Sequence, residues 1–351
     1  MIGLLKYYIK KRAYIVGIIS LILVVIAIIE SQGGYVYRNN YAGEYTYHCQ
    51  NNPIGYYTVF GSILATIVPL FEFNFKMRKV SVDEFYKFPI RREKLYIVKY
   101  IVGLLEVLIP MTVFFLFTLS HISLSSHLFK LGYYVIFYLI SIPLLTAIYS
   151  LIAFIYSKCN TTYDGLINVG LVQFFVFAIA FIILEIVTNR DECIYYSSYS
   201  SFCNNYTSYF FIYSPMTRLN VYLSNLMEGV VYKSLLEEET FIITLLSTGI
   251  FLVLGILSFI LMLILQKYEK SEDSMDISNS WFSYKVMVPT YITVFTAFIA
   301  GEGEAVMLLF AIICGYILYA IYRRNFKIKL YDIITGASCL VGGIILGVLI
   351  W

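Results

Sequence analysis

The chain has 351 residues, of which 60% are hydrophobic, 18% aromatic and only 13% charged, with a mean hydropathy of +0.78. Soluble domains carry about 25% charge, so this composition excludes a soluble enzyme. Apolar residues gather into runs of roughly the 20 residues that cross a bilayer as helix, rather than alternating with polar ones, which argues against an outer-membrane barrel. The formal net charge of +3 defines no partner by itself; its distribution over loops carries the information.

Runs free of charge predict spans at about 13–29, 54–71, 101–120, 131–156, 165–187, 240–265, 286–300, 305–322 and 331–351, by the length that helical crossing requires. The expected fold class is therefore all-α: a polytopic helical membrane protein of about nine transmembrane helices. With the N-terminus in the cytoplasm, 20 of the 25 Lys and Arg residues fall on the inner side and 5 on the outer, the asymmetry of the positive-inside rule. The stretch 286–300 is short and joined to the next by Gly301-Glu302-Gly303-Glu304, so a tilted or interfacial hairpin is the alternative there. That alternative would move the C-terminus to the other side.

Residues 1–12 run into a first span too long for a signal-peptide core and without a cleavage site of small residues, so the segment is expected to be retained. Ile2, Leu5 and Ile9 fall on one helical face and Lys6 and Lys10 on another. This is the layout of a helix lying on the inner leaflet, and equally that of an ordinary basic flank. The outer segments are 30–53, 121–130 and 188–239. The last opens with a Tyr- and Ser-rich tract from Asp191 to Tyr213 and continues with Met216, Leu219, Leu223, Leu226 and Val230 at helical spacing. Short helices dipping into the outer leaflet are expected there.

The inventory of reactive groups is small. His48, His121 and His127 are the three histidines, all placed outside, and no H-E-x-x-H or G-x-S-x-G motif occurs. No Gly precedes a Lys, so a phosphate-binding P-loop is missing and any ATP hydrolysis belongs to another subunit. Ionisable groups within the spans are few: Glu106 lies about two turns into the third, and Glu72 and Glu185 near span ends. Glu106 is a candidate for lining a path, or for an interhelical hydrogen bond. Cys193 and Cys203, ten apart in one outer loop, are disulfide candidates, although Cys49 could pair with either. The outer segments hold 5 basic and 11 acidic residues, a balance suited to cationic peptides but also the ordinary result of excluding Lys and Arg from outer loops.

The most informative loop runs from Phe73 to Tyr100 and carries eight of the basic residues. Ser81-Val82-Asp83-Glu84 reads as a capping box, predicting a helix that starts at Ser81. Val82, Phe85 and Tyr86 share one face, and Pro89 disfavours helix at Phe88. A helix of about two turns is too short to stand alone in water, so it needs a surface to dock on. Helix is expected to resume after Pro89 and run into the third span.

This loop resembles that of the membrane subunits of ABC exporters of the ABC-2 (type-2 permease) class, whose loops commonly read Leu-Pro-Val-Ser-Arg and then Lys at the membrane edge. Here the positions are Phe88, Pro89, Ile90, Arg91, Arg92 and Lys99, with Arg91 where a small hydroxyl is usual. The resemblance covers residues 1–266 by layout and about 75–100 by motif. It implies an ABC-2-like permease core over 1–266, with an interfacial helix 1–12, a coupling-helix loop 73–100 and an outer segment 188–239, followed by a C-terminal transmembrane extension over 267–351. The extension, with Lys270-Ser271-Glu272 and Tyr322 to Lys327, is similar to the larger permeases of Gram-positive antibiotic-responsive operons.

The resemblance further implies a cytosolic ABC ATPase that clasps the coupling helix at Ser81, Asp83, Glu84, Phe85, Tyr86, Lys87, Pro89, Arg91 and Arg92. It also implies a second permease subunit, identical or paralogous, in a bacterial cell membrane. ATP and Mg would be bound by the ATPase; no cofactor, metal, catalytic residue or nucleic-acid partner is expected for this chain. The lipid bilayer is the remaining partner, and a peptide, an antibiotic or a lipid-like amphiphile the implied cargo. The competing expectation is an ATPase-independent membrane protein, either a secondary transporter or a toxin-binding immunity protein. A secondary transporter should show ionisable groups gathered at the midplane.

Overall fold

The computed structural model describes residues 2–32, 36–41, 44–49, 53–86, 91–125, 131–187, 237–268, 275–276, 282–300, 305–327 and 329–350. Among these the chain is helical apart from one β-hairpin. The α-helices are α1 (Ile2–Gln32), α2 (Pro53–Phe73), α3 (Lys79–Tyr86), α4 (Arg92–Ser125), α5 (Leu131–Ser157), α6 (Thr162–Val187), α7 (Glu237–Leu265), α8 (Tyr284–Ala300), α9 (Ala305–Arg323) and α10 (Leu330–Ile350). Over the described residues, each of the nine apolar runs lies on a helix.

Six helices contain stretches long and apolar enough to cross a membrane: Gly3–Ile29, Tyr56–Met77, Arg92–His121, Tyr134–Ser157, Thr248–Leu265 and Leu330–Val348. Large apolar side chains such as Leu21, Leu116 and Ile256 point outward from them, which is membrane-protein character, since a surface of this kind suits lipid rather than water. The apolar part of α9, Leu308–Arg323, is shorter.

Two expectations need correction, and the structure adds a pair of strands. Residues 1–12 form no separate interfacial helix, because α1 is unbroken from Ile2 to Gln32. The outer segment 30–53 contains strands β1 (Val36–Tyr41) and β2 (Glu44–Cys49), paired antiparallel with Tyr41 opposite Glu44. Their four tyrosines, with Val36 and Thr46, favour extended backbone over helix. The second correction concerns α3, which starts at Lys79. The Val82 amide donates to the Arg78 carbonyl at 2.9 Å, so Ser81 lies inside the first turn and does not cap it.

The chain divides into two compact units. The first comprises Met1–Glu72, Ile90–Ala153 and Ser214–Lys267, and the second Phe73–Pro89, Phe154–Tyr213 and Tyr268–Trp351.

In the first unit α1 packs on α4, burying Tyr8, Leu23 and Ala27. Tyr57 on α2 is fully enclosed by Phe114 and Phe115 of α4 and Phe137 of α5, and its hydroxyl meets Ser141 Oγ at 2.9 Å. Gly255 brings α7 against the α5 backbone, where a Cβ would stand 2.5 Å from Ala147 Cα. Beside this contact Phe259 packs on Tyr100, with ring centroids 4.6 Å apart.

In the second unit α8 is central, packing on α6, α9 and α10. Its core is Leu171, Met287, Val288, Tyr291, Ile292, Tyr319 and Tyr322. Gly343 on α10, part of the Gly343/Gly347 small-residue pair, lets α8 approach so closely that a Cβ there would collide with Thr296. Asn168 ties the polar interior together: it donates to Cys159 Sγ at 3.0 Å and to the Phe282 carbonyl at 2.8 Å, and accepts from the Tyr322 hydroxyl.

Candidate functional site

The first unit gathers four charges inside the bundle. Arg12 on α1 lies two turns beyond Lys6, on the face that meets α4. Its Nη2 is 2.6 Å from Glu72 Oε1 and its Nε 3.4 Å from Glu106 Oε1. Lys99 on α4 donates to the other Glu72 oxygen at 3.0 Å, and its ammonium sits 4.4 Å from the centroid of the Tyr8 ring. The Glu72 side chain is wholly shielded from solvent, Lys99 and Glu106 nearly so, while Arg12 retains 27% exposure. Two cations and two carboxylates balance, as buried ions require.

Aromatic groups close the cluster. Tyr149 on α5 is fully buried and packs edge-on against Tyr100 at 5.1 Å. Its hydroxyl fills the notch left by Gly103, where a Cβ would collide with it and stand 3.1 Å from Glu72 Cγ. That hydroxyl has no hydrogen-bond partner among the described residues. Tyr100 in turn shares a hydrogen bond of 2.6 Å with Ser150. The arrangement can hold helices α1, α2 and α4 together, and it can take up a proton or an ion if the balance of charge is disturbed.

Sequence reasoning treated Arg12 and Lys99 as cytoplasmic flanks and ionisable groups within the spans as scarce. The structure adds buried ionisable groups beside the spans: besides Glu72 and Glu106, which the sequence singles out, Lys76, Lys99, Asp164 and Asp332 are buried. A signal was present, because Lys99, Gly103 and Glu106 recur at i, i+4 and i+7 on one face of α4. Nothing in the sequence marks Tyr149.

In the second unit, α3 docks through one face. Val82 is buried, and the Phe85 ring lies 4.8 Å from Phe75 in the 3-10 turn Asn74–Met77. The surface that the short helix requires is thus supplied by its own chain. Asp83 and Glu84 are exposed, as are Arg78, Lys79 and Val80. Lys76 is buried and donates to the Ser157 carbonyl at the end of α5, a C-terminal cap. Of the other residues expected to couple to an ATPase, Ser81 is half-buried on α3, and Arg91 and Arg92 stand exposed where α4 begins, in the first unit. Tyr86 ends α3, and Lys87 and Pro89 lie outside the described residues, as do Cys193 and Cys203.

Cys159 follows α5 and is fully buried. Burial pushes its thiol up to about 12, so it is held as a neutral group rather than a nucleophile. Burial also raises the Asp164 carboxyl. Its amide, 3.2 Å from Thr161 Oγ1, is capped at the start of α6. No group of His, Cys, Asp and Glu side chains suited to a metal ion occurs among the described residues.

Searches against protein-family models, curated proteins and solved structures find no match to this chain.

Proposed function

We propose that this chain is the transmembrane subunit of an ATP-driven exporter of the ABC-2 kind. It would cross a bacterial cell membrane nine times with its N-terminus inside, and work with a cytosolic ATPase and a second permease subunit. The observation that carries the reading is α3. It is a short helix in the most basic loop, pinned by Val82 and Phe85 to its own chain and presenting Asp83 and Glu84 outward. A helix anchored on one face and charged on the other can receive a push from a partner and pass it to the helices that flank it. Glu72, immediately before this loop, and Lys99, at its end on α4, form a buried ion pair, so the two helices that carry the loop are tied together. The chain itself has no phosphate-binding loop.

Affinity purification from the native membrane in mild detergent tests the proposal. An ATPase should co-purify, and Asp83→Lys/Glu84→Lys should abolish its recovery without changing the elution profile of the permease, because both side chains are exposed. Purification of the wild-type chain without any ATPase overturns the reading.

A second reading rests on the four-charge cluster. Ionisable groups gathered inside a helical bundle can mark an ion or proton path, and Glu106 carries this one about two turns into its span. Under that reading, transport survives ATP depletion and fails when the proton gradient is collapsed. Under the first reading the dependence is reversed.

A further inference from the structure

The turn between α9 and α10 is built to keep its cations outward. Helix α9 ends in a Schellman motif: the Asn325 amide donates to the Ala320 carbonyl and the Arg324 amide to that of Ile321, both at 3.2 Å, with Arg324 at φ 54°. Asp332 caps α10 by accepting from the Lys329 amide at 3.2 Å, and both of its oxygens accept from the Arg323 guanidinium. The single carboxylate of the turn is therefore consumed by Arg323. Arg324 turns toward the Met275 carbonyl at 3.5 Å. Lys327 and Lys329 remain exposed, and no carboxylate of the turn opposes them. Beside them the apolar side chains are also outward: Phe326 is 92% exposed, Leu330 74% and Tyr331 65%. Lys327, Asn325 and Phe326 line a shallow groove with Arg323.

Exposed lysines alone are an ordinary solvated turn. Lysines flanked by a bare Phe, Leu and Tyr are not, because those apolar groups face water at a loss unless a lipid surface receives them. The membrane-length stretch of α10 begins at Leu330, which puts the turn at the bilayer edge. We propose that this turn binds the headgroup of an anionic phospholipid, with Lys327 and Lys329 on the phosphate and Phe326 and Tyr331 among the upper acyl carbons. The inference rests on the membrane-spanning character of α10 and does not depend on export.

The test uses the full chain, purified in neutral detergent and titrated with phosphatidylglycerol, phosphatidylcholine or inorganic phosphate, with lipid adducts counted by native mass spectrometry. Phosphatidylglycerol should bind in preference to phosphatidylcholine. Because one cation near an anionic surface is worth roughly a fivefold change in affinity, Lys327→Gln/Lys329→Gln should weaken that binding by more than tenfold. Lys327→Arg/Lys329→Arg should retain it, which separates lost charge from a failure to fold. Equal binding of the two lipids overturns the proposal, as does a Gln variant that binds like the wild type. Binding of inorganic phosphate with the same variant dependence would make this a free-anion site and likewise overturn the lipid assignment. A chain that stays in solution without detergent would sink the membrane premise itself.

Discussion

The Arg12 guanidinium stands 2.6 Å from the Glu72 carboxylate, and this contact joins α1 to α2, two helices that the charge pattern alone treats as separate. Lys99 holds the other Glu72 oxygen at 3.0 Å, so Glu72 is the hinge of the cluster. Replacing it by Gln leaves two cations side by side with only Glu106 to offset them. Removing one partner of a buried pair costs about 3–5 kcal/mol, and the lower end is expected because Arg12 keeps some contact with solvent. The expected result is a clear fall in the unfolding temperature of the Glu72→Gln protein in detergent, with part of it restored in Glu72→Gln/Lys99→Met. An unchanged unfolding temperature for the single variant would remove the cluster as a structural joint.

Gly103 and Tyr149 should behave as a matched pair. Gly103→Ala places a Cβ where the Tyr149 hydroxyl lies, and overpacking of this kind costs about 1–3 kcal/mol. Tyr149→Phe deletes a buried hydroxyl that has no partner among the described residues. It should therefore be neutral or stabilising, by about 1 kcal/mol at most. The double variant should recover most of what Gly103→Ala loses. Thermal unfolding of the four proteins measures the coupling, and simple additivity of the two changes would show that the hydroxyl does not occupy the notch.

The helices were legible because long apolar runs admit few other structures; over the described residues, each predicted span lies on a helix. The charge cluster was not. The positive-inside rule assigns Arg12 and Lys99 to the aqueous edge, and only the packing of α1 on α4 carries them inward to Glu72 and Glu106. The capping-box reading of Ser81 failed for a related reason. The turn Asn74–Met77 leads straight into α3, so the Arg78 carbonyl is already placed to accept the first helical hydrogen bond. The paired strands Val36–Tyr41 and Glu44–Cys49 carry a weak signal, because their four tyrosines favour extended backbone while the segment lacks an apolar run.

Cys159 yields a pH prediction. Its thiol is pushed from an ordinary value of 9.0 up to about 12 by burial, so the folded state prefers the neutral form. The stabilisation is complete below the unfolded value and is lost between pH 9 and 12, as the unfolded chain releases a proton that the folded one keeps. The slope contributed is about 1.4 kcal/mol per pH unit. Cys159→Ala should lack this part of the alkaline decline when its unfolding is compared with the wild type across that range. At pH 8 the folded protein should also leave Cys159 unmodified by maleimide, with labelling only after denaturation. Rapid labelling of the native protein would place the thiol at the surface.

Arg324 offers a stabilising substitution. It closes α9 at φ 54°, the left-handed region that costs an L-residue with a side chain about 1–2 kcal/mol and glycine almost nothing. Against this, a cation near a helix C-terminus contributes about 0.3–1 kcal/mol, and the exposed contact with the Met275 carbonyl, at 3.5 Å, lies at the limit of a hydrogen bond. The backbone effect is the larger. Arg324→Gly should therefore gain about 0.5–1 kcal/mol, and Arg324→Ala should lose a little, since it keeps the strain and gives up the charge. Amide hydrogen exchange at Arg324 and Asn325, whose N–H groups form the Schellman bonds, should slow in the Gly variant and quicken in the Ala variant. Slowing in the Ala variant would mean that the side chain, rather than the backbone angle, sets the stability of this turn.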